Sequence, residues 1–193
     1  ADLDGAARRL HEPVRRERVI VPEHPWEEEG VSYMVTCEEA GRFRAWYRAG
    51  AREAGPRTGP RPEPQPDWTW NDHNQHNPVP GLYAYAESTD GIHWEKPTLN
   101  RVDFEGSTAN NLVWHATGNN MSPFRDPNLG VPDDERYKAI VRHQAVFGLV
   151  SPDGLDWRLL RRQPLLTDRP FDSHNIAFFD ERLGEYVIYS RGV

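Results

Sequence analysis

The chain has 193 residues, 30 acidic against 23 basic, for a formal net charge of −7. That length suits one domain, and that charge disfavours nonspecific attraction to nucleic acid or anionic lipid. No apolar run approaches the roughly twenty residues of a membrane-spanning helix. Cys37 is the sole cysteine, which excludes an internal disulfide and a thiolate zinc site.

Residues 1–30 read as an N-terminal arm and lead-in: Arg8, Arg9, Arg15, Arg16 and Arg18 surround little apolar material, a surface composition. Residues 31–37 and 43–47, rich in aromatic and β-branched residues and separated by Glu38-Glu39-Ala40-Gly41, predict a hairpin. Residues 49–80 then form an inserted loop. Pro56, Pro60, Pro62, Pro64 and Pro66 withhold the backbone donors that a ladder or helix requires.

After the loop, residues 82–87 predict a strand that passes through Ser88-Thr89-Asp90-Gly91 into Ile92-His93-Trp94. Residues 147–150 do the same through Ser151-Pro152-Asp153-Gly154 into Leu155-Asp156-Trp157. A Ser-x-Asp-Gly-x-x-Trp unit therefore recurs, and Asp-Gly suits a turn that needs positive φ. Residues 111–115 and 137–141 are further strand candidates, with 111–115 read as the inner strand of the second copy, and 175–190 open a third hairpin.

The repeated order predicts an all-β chain of β-propeller-like four-stranded blades. Residues 31–193 would form a partial propeller domain, about two blades and the start of a third. Closure needs at least four blades, and five at about 60 residues each need about 300. The expectation is a fragment of a longer protein, or a chain that self-associates through its unfinished sheet edge.

The two turn units resemble those of the five-bladed β-propeller glycoside hydrolases, the group of invertases, arabinanases and glycoside phosphorylases. Trp70-Asn71-Asp72-His73-Asn74 and Arg125-Asp126-Pro127 also resemble segments of invertase-type members. There the first aspartate is the nucleophile and the second binds sugar hydroxyls. His73 replaces that family's proline, and its glutamate-cysteine acid motif is absent downstream. The resemblance implies a carbohydrate-active protein that cleaves a glycosidic bond through paired carboxyl groups.

Blade topology would put the starts of inner strands and the insertion on one face, and Glu38, Glu39 and Asp126 on the other. The catalytic candidates on the first face are Asp172, Glu105 and Asp72. His174, Asn175, Asn110, Asn111, Trp70, His73 and His76 are the candidates for substrate binding, since a sugar offers hydroxyls and an apolar ring face together. The expected partner is a glycan or small saccharide. No cofactor is expected, although Asp72, His73 and His76 leave a divalent cation as an option. The alternative is a propeller module that binds carbohydrate or protein without catalysis. Phosphate-loop, Rossmann, Gly-x-Ser-x-Gly and His-Glu-x-x-His patterns are all missing.

Overall fold

The structure is a computed structural model and describes residues 9–50, 69–71, 80–117, 119–142, 145–168, 171–172 and 174–191. Among these the regular structure is mostly strand, with two short 3₁₀ turns at Pro25–Glu27 and Asp133–Glu135 and helical backbone at Trp70 and Asn71. All described strand pairings are antiparallel.

The first sheet contains β1 (Val31–Glu39), β2 (Arg42–Ala49), β3 (Pro80–Ser88) and β4 (Trp94–Glu95) in that order, with β5 (Leu112–Thr117) also paired to β3. The second contains β6 (Asn119–Arg125), β7 (Tyr137–Arg142), β8 (Val146–Ser151) and β9 (Arg158–Leu159). A third, two-stranded sheet pairs β10 (Ile176–Asp180) with β11 (Glu185–Tyr189).

Side chains that alternate along these strands fill the space between sheets, as period two dictates. Trp46, Tyr83 and Tyr85 of the first sheet meet Tyr137, Ala139, Val141, Phe147 and Leu149 of the second in one buried cluster. The opposite residues of the first sheet, Ala45, Tyr47, Leu82 and Ala84, join Trp26 of the lead-in. The opposite face of the second sheet offers Ile140 and Val146 to Phe171, Ala177 and Ile188. The sheets are thus stacked in chain order. Trp94 packs in the cluster with Trp26 and Trp157 in the cluster between the first two sheets, so the two tryptophans do not share one sandwich core.

Each Ser-x-Asp-Gly-x-x-Trp turn is held by the same bonds. The Ser88 hydroxyl accepts from the Asp90 and Gly91 amides at 3.2 and 2.9 Å, the Asp90 carboxylate accepts from Ile92 and His93, and the Trp94 indole donates to the Gly91 carbonyl at 3.0 Å. Ser151, Asp153, Leu155, Asp156 and Trp157 repeat this set bond for bond. Gly91 and Gly154 sit at φ +74° and +76°, where a Cβ is strained.

One expectation needs correction. Leu112–Thr117 is not the inner strand of the second sheet; it pairs with β3 in the first. The inner strand is Asn119–Arg125, a polar run containing Pro123, which is tolerated because β6 is an edge strand. Residues 9–18 are exposed, and the later part of the lead-in is anchored to the first sheet. Glu27 is fully buried, bonded to Tyr47 at 2.6 Å and to Lys96 at 2.8 Å. Burial pushes the Glu27 carboxyl up, but the bonds from Lys96, Tyr47 and the Glu23 amide outweigh it and leave it below its ordinary value.

Candidate functional site

The first strands of the three sheets, β1, β6 and β10, each have a residue in the left-handed region within or just before their opening residues: Tyr33 (φ +49°), Asn120 (+65°) and His174 (+69°). Their places correspond. Tyr33 lies two residues before Val35, which pairs with Trp46; Asn120 lies two before Ser122, which pairs with Ile140; His174 lies two before Ile176, which pairs with Tyr189. Register shifts mark the first two as bulges, and bulges re-aim side chains at strand ends. Asparagine and histidine tolerate this conformation better than most residues.

These strand starts converge. The rings of Tyr33 and His174, from the first and third sheets, stack at 5.8 Å with an interplanar angle of 21°. Between the first and second sheets, Tyr83 is 1% exposed, with the backbone amides of Met121 and Asn120 directed at its hydroxyl. Burial pushes that phenol well above its ordinary range despite those amides and the nearby Arg48 charge. Arg48 is the cross-strand partner of Tyr83, hence its neighbour on the same sheet face.

An arginine stands at the same end of the second strand in each sheet's opening hairpin, within β2 and β7 and just past β11. Arg48 is two residues beyond Trp46, Arg142 two beyond Ile140 and Arg191 two beyond Tyr189. Asp172 faces the last of them, with an ion pair of 3.0 Å to Arg191. Asn175 is buried and acts as a clasp, since its Nδ2 donates to the Asp172 carbonyl at 2.9 Å and its Oδ1 accepts from the Arg191 amide at 3.0 Å.

Of the residues singled out from the sequence, the structure brings Asp172, His174 and Asn175 together. Asp72, His73 and His76 lie outside the described residues. Asn110 and Asn111 are elsewhere, because the strand that follows them belongs to the first sheet. Asn111 accepts from the Trp26 indole at 2.8 Å and donates to the Tyr85 carbonyl at 2.7 Å, while Asn110 caps Leu112 and holds Val102. Their amides are consumed in holding the fold. Glu105 is exposed at φ +52° in the turn closed by Phe104 and Ser107. Phe104 packs edge-on to Trp26 at 5.8 Å, on the face of the first sheet turned away from the second.

Trp70 is 6% exposed and packs against Phe147 and Trp114 at 5.0 and 6.1 Å. Its ring faces are spent on the core, so it anchors the end of the insertion. Asp126, at the far end of β6 from Asn120, is buried; it accepts from the Tyr186 hydroxyl at 2.7 Å and pairs with Lys138 at 3.0 Å. Among the described residues no three His, Cys, Asp or Glu side chains gather into a metal site.

Tyr33, Arg48, Asn120, Arg142 and Arg191 escaped the reading of the sequence. An arginine at the end of, or just past, each second strand was the available signal, and it becomes visible only when the three hairpins are aligned.

No family model matches the chain. It is 24% identical over 165 residues to an uncharacterized protein of Mycobacterium tuberculosis strain CDC 1551 / Oshkosh. It is 25% identical over 169 residues to one of strain ATCC 25618 / H37Rv. Each match covers 83% of this chain and 46% of the relative, so the chain spans about half the length of the curated relatives it matches.

Proposed function

We propose that the three sheets are successive blades of a β-propeller, and that the protein is carbohydrate-active, with its saccharide site in the opening where β1, β6 and β10 begin. The ring contact between Tyr33 and His174 carries this reading, because it joins the inner strand starts of the first and third sheets across the second. The recurrence of a left-handed residue at each of those starts and the identical Asp-Gly-Trp turns support the same repeat. A tyrosine and a histidine ring beside a carboxylate supply an apolar surface and polar partners, which a pyranose or furanose ring needs together. The chemistry is hydrolysis of a glycosidic bond by two carboxyl groups. Asp172 is one; Asp72, on the insertion, is the candidate for the other. Glu105 is set aside because of its place beside Phe104 and Trp26.

A second reading is a propeller module that binds saccharide without turnover. The Asp172–Arg191 ion pair favours it, since a carboxylate engaged by a guanidinium is suited to accepting hydrogen bonds.

Turnover of a chromogenic glycoside panel by the full-length protein tests both. Hydrolysis predicts a bell-shaped pH profile and a loss of about 100-fold or more in Asp172→Asn and in Asp72→Asn. Unchanged turnover in Asp172→Asn removes it from the mechanism. Saccharide binding with no turnover on any substrate establishes the second reading.

A further inference from the structure

The opening described above is cationic in a protein of net charge −7. Arg48, Arg142 and Arg191 occupy corresponding positions on three adjacent hairpins, each on the face of its strand that carries Trp46, Ile140 or Tyr189. The first two of these faces turn toward the next sheet, as the packing of Trp46 and Ile140 shows. Arg48 and Arg142 thereby stand at the end where the first strand of the next sheet begins. Arg191 is paired with Asp172. Among the described residues no carboxylate pairs with Arg48.

The polar groups there are also incompletely used. Asn120 is 1% exposed, yet neither its Oδ1 nor its Nδ2 has a hydrogen-bond partner, and the buried Nε of Arg48 has none either. Leaving such buried groups unpaired is costly, so each is a group that a ligand would complete. Asn120 and Arg48 lie on two sides of the same residue, Tyr83, whose hydroxyl meets the Asn120 and Met121 backbone and whose cross-strand neighbour is Arg48. A guanidinium offers several N–H groups in a fixed fork, a shape that fits the two oxygens of a carboxylate or phosphate.

We infer that this opening takes a saccharide bearing an oxyanion, a carboxylate or phosphate group on the sugar, with Arg48 and the arginines in its corresponding positions as the cationic wall and Asn120 as the buried hydrogen-bonding group. This deepens the carbohydrate reading and rests on it. The stacked Tyr33 and His174 rings contact the sugar, and the anionic substituent lies against Arg48 and Asn120. The overall negative charge then repels anions everywhere except at this opening, which makes the local arginines the source of selectivity.

Calorimetric titration of the full-length protein at physiological ionic strength tests it with four probes: glucuronate, glucose 6-phosphate, glucose and inorganic phosphate. At least one of the two charged sugars is expected to bind about tenfold or more tightly than glucose. Arg48→Gln is expected to erase that preference, with Arg48→Lys retaining part of it. Asn120→Asp keeps the side-chain shape and tolerance of positive φ while adding a negative charge. It is expected to weaken the charged sugars about tenfold or more. Arg158→Gln, remote on Asp134 and Glu135, should change nothing. Equal binding of glucose and both charged sugars overturns the oxyanion inference and leaves the carbohydrate reading standing. Inorganic phosphate binding as tightly as glucose 6-phosphate, with glucuronate and glucose silent, overturns the inference by removing the sugar, and takes the carbohydrate reading with it. A charged-sugar preference that survives in well-folded Arg48→Gln and Asn120→Asp overturns the assignment of these residues.

Discussion

The two Ser-x-Asp-Gly-x-x-Trp turns have the same internal bonds and different surroundings. The second is docked: the Trp46 indole donates to the Gly154 carbonyl at 2.6 Å, and the Arg44 guanidinium donates to the Asp153 carbonyl at 2.5 Å. Both donors belong to the first sheet. Arg44 also lies over the Trp46, Tyr85 and Tyr137 rings at 5.2, 5.3 and 4.9 Å and bonds the Tyr137 hydroxyl. Among the described residues the first turn has no such neighbour, and the nearest atom to a Cβ built on Gly91 is on Phe43, at 3.8 Å. A local motif closes a hairpin by itself. Only where the next sheet packs on it does it also join two sheets.

Substitution of the two glycines by alanine should separate these roles most strongly. At Gly154 a Cβ would come within 2.8 Å of Trp46 Cζ2 and 3.2 Å of Tyr137 Cδ1. Gly154→Ala therefore adds overpacking to the strain of positive φ, for a loss of about 3 kcal/mol. Gly91→Ala meets only the backbone strain, about 1 kcal/mol. Urea denaturation midpoints of the two variants check this, and equal losses would mean that the second turn is no more docked than the first. The next largest difference should lie in the arginines. Arg44→Met gives up the Asp153 carbonyl, the Tyr85 hydroxyl and the partly buried Glu39 pair, for about 2 kcal/mol. Arg42→Met, which loses an exposed pair with Glu87 beside the first turn, should cost less than about 1 kcal/mol by the same denaturation.

The same contrast explains what the sequence made legible. The turns were readable because their chemistry is local: serine, aspartate, glycine and tryptophan bond to one another within seven residues. The hairpins β1–β2 and β10–β11 were readable from short aromatic and β-branched segments. Strand β6 was not, since Asn119, Asn120, Ser122 and Pro123 have poor strand propensity, and its conformation is imposed by pairing with β7 and by burial of Met121 between sheets. That omission displaced Leu112–Thr117 to the wrong sheet and carried Asn110 and Asn111 with it. The cluster of Asp172, His174 and Asn175 was legible as polar residues ahead of an apolar strand. Arg48 and Asn120 were not, because what distinguishes them is a cross-strand neighbour and a bulge, both nonlocal. Composition likewise does not tell whether Trp70 lines a site or anchors a loop; its contacts with Phe147 and Trp114 do.

Acid should affect both turns, because both aspartates are held below their ordinary range. For Asp90 the causes are the His93 ring and the His93 and Ile92 amides. For Asp153 burial acts upward and is outweighed by the amides of Asp156 and Leu155 and by Ser151. A depressed carboxyl stabilises the folded state above its unfolded value, near 3.9, and the contribution is lost as pH falls through the folded value. Both turns should therefore weaken below about pH 4, with Asp153→Asn removing part of the acid dependence seen in denaturation midpoints.

The smallest effect is the one most specific to a single turn. His93 is paired with Asp90 at 2.7 Å and occupies the place that Asp156 takes in the second turn. The bond and charge of Asp90 raise the His93 imidazole above its ordinary value. A raised histidine contributes stability that is fully present below its unfolded value, about 6.5, and disappears as pH rises through the folded one. The second turn has an aspartate there, paired with Arg101, and loses nothing over that window. Proton NMR titration should show His93 titrating above about 6.5 and returning to that value in Asp90→Asn. His93→Gln should leave the Gly154→Ala loss unchanged, because the docked turn does not draw on the exposed one. An undisplaced His93 midpoint would mean that Asp90 spends its charge on the turn amides alone, and the two turns would then differ only in what packs against them.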